Sequence, residues 1–153
     1  MIIKEEITEI QKKWADGIIK MGVIQNDRES LESFTSDFLD KFYNFNEKVL
    51  FKPTKTSEKQ FRNDKDSAMS YFIAGKNKKC HEDNGFALSK WNEISFENVN
   101  VLIYDEYAFA MGNYNFKNKS STIKVEYSFI YKKIGQDIKI VLHHSSIPFS
   151  NKN

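Results

Sequence analysis

The run Lys139-Ile140-Val141-Leu142-His143-His144-Ser145-Ser146-Ile147-Pro148-Phe149 carries the clearest pattern in the chain. It continues a two-residue alternation that begins at Ile138, and in a strand successive side chains point to opposite faces of the sheet. Strict alternation puts Ile138, Ile140, Leu142, His144 and Ser146 on one face, and Lys139, Val141, His143 and Ser145 on the other. The first set is apolar until its last two members. It reads as a core face that turns polar at one end, where a pocket would lie. Pro148 then stops the ladder, because proline has no N–H to offer a neighbouring strand. A slip of one residue would make His143 and Ser145 the inward pair.

Upstream of this run the strand-like texture extends back to Phe86. Strands are expected near Phe86 to Trp91, Ile94 to Ile103, Tyr107 to Phe116, Ile123 to Lys133 and Asp137 to Ser146. Asp105-Glu106, Asn118 to Ser121 and Gly135-Gln136 supply the turns between the last four. The first third of the chain has a different period. Ile3, Ile7, Ile10, Trp14, Ile18 and Met21 recur at steps of three and four, as on one stripe of an amphipathic helix that Gly22 would end. Asn26 or Asp27 can cap a second helix with the stripe Leu31, Phe34, Phe38 and Phe42. Between the two regions, Val49 to Lys52 reads as a short strand broken by Pro53, and Asp64 or Asp66 caps a short helix through Ile73. Helices first and antiparallel strands last predict an α+β domain over residues 1–153, with the N-terminal helices packed on one face of a curved antiparallel sheet.

Composition excludes several classes. Forty per cent apolar residues, including thirteen Phe and seven Tyr, describe an aromatic-rich globular interior. A net charge of +2 without a basic stripe argues against nucleic acid as a partner. No long apolar run near the N-terminus suggests a membrane span. A single cysteine, Cys80, cannot form an internal disulfide and fits a reducing, cytoplasmic setting.

Five stretches together are similar to the iota-class carbonic anhydrases. They are Phe51-Lys52-Pro53-Thr54-Lys55, Ser70-Tyr71-Phe72, Glu82 to Leu88, Met111-Gly112-Asn113-Tyr114 and Leu142 to Pro148. The element order likewise resembles the nuclear-transport-factor-2-like cone, shared by ketosteroid isomerases, polyketide cyclases and the association domain of calcium/calmodulin-dependent kinase. The resemblance implies reversible hydration of CO2 to bicarbonate by a homodimer without a cofactor, manganese or zinc being the alternative. A non-catalytic cone that binds a small anion or oligomerises is the rival reading, and an acid/base enzyme acting on a larger organic substrate is a third. The third would need an inward carboxylate, and only Glu126 in the late strands is a candidate, flanked by the more core-like Val125 and Tyr127.

The histidines themselves disfavour a metal. A catalytic zinc typically has three protein ligands and an open position, and the chain has only His81, His143 and His144. Adjacent strand residues face opposite ways, so His143 and His144 cannot share an ion. Cys80-His81-Glu82-Asp83 has suitable ligand types, but consecutive residues converge poorly. Metal-free hydration instead needs hydroxyl groups that position water and stabilise the charge developing on oxygen. With the family-like motifs, Thr54 and Ser146 are expected to hold water or bicarbonate, Tyr71 and His144 to orient them, and His144 to shuttle the proton. Phe51 and Phe72 are expected to line the substrate cavity.

Overall fold

The computed structural model describes residues 1–151. Helices α1 (Lys4–Val23) and α2 (Arg28–Phe42) come first, followed by the short strand β1 (Leu50–Lys52) and helix α3 (Lys65–Ile73). Four long strands follow among the described residues: β2 (Glu93–Tyr104), β3 (Tyr107–Lys117), β4 (Thr122–Ile134) and β5 (Asp137–Ser146). Asp27 and Asp64 are the caps of α2 and α3, accepting from the backbone N–H of Ser30 and Ser67. Arg28 ties these helices together, donating to the carbonyls of Ile73 and Ala74 at 2.8 and 2.6 Å. Those carbonyls belong to the helix end that backbone bonding leaves unsatisfied.

One expected strand is absent. Phe86–Leu88 form a single 3-10 turn, and the chain joins the sheet only at Glu93. Gly85 takes φ +79°, a conformation glycine adopts without a Cβ penalty, and directs the chain into that turn. Phe86 and Trp91 are thereby buried in the core, with Trp91 Nε1 donating to the Phe86 carbonyl at 2.8 Å.

The strands form one curved sheet in the order β1-β5-β4-β3-β2. Pairing is antiparallel except at β1, which runs parallel to β5 and sets Phe51 opposite His143. This departs from the wholly antiparallel expectation. A long connection through α3 and the meander lets the two strands lie side by side in one direction. Two bulges interrupt the ladders. Across from the one at Asn98/Asn100, a Cβ on Gly112 would sit 2.0 Å from the Glu97 carbonyl oxygen, so only glycine fits.

The second bulge decides which side chains face the helices. Ile130 pairs with Leu142 and Tyr131 with Ile140, leaving Val141 as the extra residue. A bulge resets the alternation beyond it. Ile140 points into the core, and beyond the bulge the inward positions come one residue later than simple counting gives, at His143 and Ser145, only 2% and 1% exposed. His144 is exposed and Ser146 half-buried on the opposite face, which corrects the expectation that they point inward. Glu126 lies on that outer face too, while Val125 and Tyr127 are buried. The core itself is the layer between α1, α2 and the inner sheet face, built on Trp14, Phe38, Tyr114, Phe116 and Phe129. Among the described residues no helix is long and apolar enough to cross a membrane.

Candidate active site

His143 is the centre of a ring-lined polar cluster. The parallel pairing with β1 stacks Phe51 on one side of the imidazole, centroids 4.7 Å apart. Phe129, its partner across β4, stacks on the imidazole too, at 4.0 Å. Tyr43, just past the end of α2, places its hydroxyl 2.9 Å from Nδ1. Tyr114 from β3 and Ser145 place theirs 3.0 Å from Nε2 and in direct contact with each other. Every polar edge of the imidazole is therefore met, as a buried ring requires. Burial, and secondarily the neighbouring His144, hold its pKa well below 6.5, so the ring is neutral at physiological pH.

The opposing wall comes from the loop after β1 and from α3. Pro53 ends the strand and turns Thr54 toward the cluster, where it meets the hydroxyls of Tyr71 and Tyr114. The Lys55 N–H donates to Tyr71 Oη at 3.2 Å, which leaves the phenolic hydrogen free to donate elsewhere. Burial raises the pKa of Tyr43, Tyr71 and Tyr114 above 10, so all three are O–H groups. Between the walls lies a cavity of about 10 Å³, whose polar lining is Thr54, Tyr71, Tyr114, His143 and Ser145. That volume is on the scale of one water molecule. Phe51, Phe72 and Phe86 complete it with apolar rings. A neighbouring pocket of about 120 Å³ shares Tyr71 and Phe86 and includes Lys55.

A space of this size, lined by hydroxyls and enclosed by rings, suits the positioning of one water against a small apolar electrophile. The family model for metal-independent carbonic anhydrases matches residues 5–147. The chain belongs to the metal-independent carbonic anhydrase family. Its reaction is the reversible hydration of CO2 to bicarbonate, carried out without a metal cofactor. A metal-independent carbonic anhydrase of Nostoc sp. is 30% identical over 155 aligned positions, which span 97% of this chain and 75% of that protein. The crystal structure of a cyanobacterial iota-carbonic anhydrase complexed with bicarbonate superposes with a TM-score of 0.92 at 28% identity, covering 98% of this chain and 94% of that one. A putative calcium/calmodulin-dependent protein kinase II association domain from Xanthomonas campestris shares the fold, with a TM-score of 0.64 at 19% identity over 98% and 91% of the two chains.

Within this carbonic anhydrase fold the sequence-derived residues divide cleanly. Thr54, Tyr71, Phe51 and Phe72 all line the cavity. His144 and Ser146 instead line a much larger concavity of about 830 Å³ on the outer sheet face. Tyr114 lies in a family-like stretch and Trp14 on the apolar stripe of α1, but nothing in the sequence marks either as a site residue or singles out Tyr43, whose partner His143 lies 100 residues away. Glu58, Cys80 and His81 bring ligand atoms within 4.8 Å of one another, as do Cys80, Glu82 and Asp83. None of these lines the cavity. Glu58 pairs with His81 at 3.0 Å, while Glu82 and Asp83 bind Arg62.

Proposed function

We propose that CO2 hydration takes place in the cavity between Thr54, Tyr71, Tyr114, His143 and Ser145. The observation that carries this reading is the convergence of four hydroxyls and a neutral imidazole on a space of about 10 Å³ walled by aromatic rings. Thr54 and Ser145 hold the attacking water, Tyr71 and Tyr114 fix its orientation, and CO2 and then bicarbonate occupy the adjoining pocket of about 120 Å³ that shares Tyr71 and Phe86. The water oxygen forms a bond to the CO2 carbon while one C=O π pair becomes a lone pair on a carbonate oxygen. The hydroxyl donors stabilise that charge as it grows. One proton leaves the attacking water for solvent water through the neighbouring pocket at Lys55 and Tyr71, and the anion departs by the same opening. His144, exposed on the far face, takes no part in the transfer. The bicarbonate complex of the cyanobacterial relative supports bicarbonate as the ligand of this site.

Thr54→Val keeps the shape and removes one hydroxyl. By the usual worth of a single oxyanion-type donor it lowers kcat/KM about 100-fold. Stopped-flow CO2 hydration on chelator-treated protein measures this, and a variant with wild-type rate would place the chemistry elsewhere.

We also propose a cytoplasmic homodimer built on the outer sheet face. Val99, Met111 and Phe149 are 84%, 63% and 90% exposed there and rim the large concavity. Large apolar side chains exposed together around one polar-rimmed concavity are a usual mark of an interaction surface. Met111→Glu is expected to convert a dimer into a monomer in sedimentation velocity. A wild type that already sediments as a monomer would refute the interface. The free Cys80 supports the compartment, since the fold needs no oxidising environment.

A further inference from the structure

We propose that Trp14 and Tyr43 set the direction of the hydrogen-bond chain through His143, so that the imidazole carries its hydrogen on Nε2 and donates it to Ser145 and Tyr114. An indole N–H can only donate. Trp14 Nε1 lies 3.1 Å from the Tyr43 hydroxyl, so Tyr43 oxygen accepts there. Tyr43 has one hydrogen of its own, and its other hydrogen-bond contact is His143 Nδ1 at 2.9 Å.

Two arrangements satisfy the distances. In the first, Tyr43 donates to an unprotonated Nδ1, and Nε2–H points at Ser145 and Tyr114. In the second, Nδ1–H donates to Tyr43, whose oxygen then takes two donors, and with Trp14 and His143 both donating its own hydrogen has no acceptor among its hydrogen-bond contacts. Tyr43 is buried, and an unsatisfied buried donor carries the full desolvation penalty. The first arrangement leaves no such orphan, and it holds.

The direction propagates to the cavity. Ser145 and Tyr114 both receive from Nε2 and touch each other, so one of their two hydrogens bridges them and the other is available to the cavity. The wall is then a donor, suited to an oxygen that gains negative charge. The single lone pair of His143 is occupied by Tyr43. His143 therefore orients and polarises the hydroxyls and is not the base that takes the proton. Trp14 and Tyr43 are positioning residues, acting through it.

The catalytic meaning rests on the cavity assignment above, but the tautomer is readable in the resting protein without turnover. Long-range proton–nitrogen correlation spectra of histidine-labelled protein are expected to show a protonated Nε2 and an unprotonated Nδ1 for His143, assigned through its loss in His143→Gln. A protonated Nδ1 in the wild type would overturn the proposal. Trp14→Phe removes the competing donor and frees Tyr43 oxygen to accept from Nδ1. In that variant the Nδ1–H form is expected to gain population, and an unchanged spectrum would remove Trp14 from the device. Should Trp14→Phe not fold, the wild-type spectrum decides alone. Loss of activity in Thr54→Val with the tautomer intact separates the two readings, because the cavity assignment and the chain direction then fail or stand independently.

Discussion

Asp83→Ala is expected to lower the unfolding free energy by about 3–5 kcal/mol, the range for breaking a buried ion pair from one side. The side chains of Arg62 and Asp83 are wholly buried, and they meet as a two-pronged fork with N–O distances of 2.7 and 2.8 Å. Burial works against the guanidinium charge, and hydrogen bonding and attraction from Asp83 outweigh it and raise the Arg62 pKa. Removing Asp83 leaves that charge stranded and also orphans the Ser70 hydroxyl, which donates to Asp83 at 2.5 Å. Urea unfolding at constant m measures the loss. A change below about 1 kcal/mol, the scale of a surface pair, would mean the pair is far better solvated than its geometry indicates. Replacing both partners, as Arg62→Met with Asp83→Leu, is expected to recover much of the loss because no charge is left unpaired.

The same pair anchors the loop after β1 that carries Thr54. The Arg62 N–H donates to the Phe51 carbonyl at 2.7 Å, and its guanidinium reaches the Lys59 carbonyl at 2.8 Å. Beside it, Glu82 accepts from the N–H groups of Ser57 and Glu58. Both ends of the segment that presents Thr54 are thus tied to one ionic knot. Neither Gln60 to Arg62 nor Cys80 to Asp83 announces this in the sequence. A buried arginine and an exposed one look alike until the partner is placed, and here the partner is 21 residues away.

Where the chain's own periodicity carried the information, it was readable. The stripes of α1 and α2, the caps at Asp27 and Asp64, and the four-strand meander follow from helix spacing, side-chain capping and two-residue alternation. Thr54 and Tyr71 came through likeness to a family rather than through local chemistry, and the structure brings both to the cavity. The inward face of β5 was misread for a specific reason. Val141 continues the alternation perfectly as a letter in a sequence, and nothing in Lys139 to Leu142 distinguishes a regular strand from one with an extra residue. Counting through it exchanges His143 with His144 and Ser145 with Ser146. Phe86 to Trp91 failed similarly, since an aromatic run resembles a strand whether its rings are delivered by a ladder or by a turn after Gly85.

Ser145→Ala and Ser146→Ala form the sharpest pair, because they differ by one position and by the face of the sheet. Ser145 touches both Nε2 of His143 and the Tyr114 hydroxyl, so its loss removes a donor from the cavity wall and breaks the network behind it. A fall of about 100-fold or more in kcat/KM is expected, on the scale of one lost oxyanion donor. Ser146 lines only the outer concavity, and its alanine variant is expected to keep the wild-type rate. The deciding measurement is stopped-flow CO2 hydration by chelator-treated wild type, Ser145→Ala and Ser146→Ala side by side. Wild type and Ser146→Ala are expected to be active and Ser145→Ala crippled. A chelated wild type no faster than buffer, or loss in Ser146→Ala with Ser145→Ala intact, would contradict it.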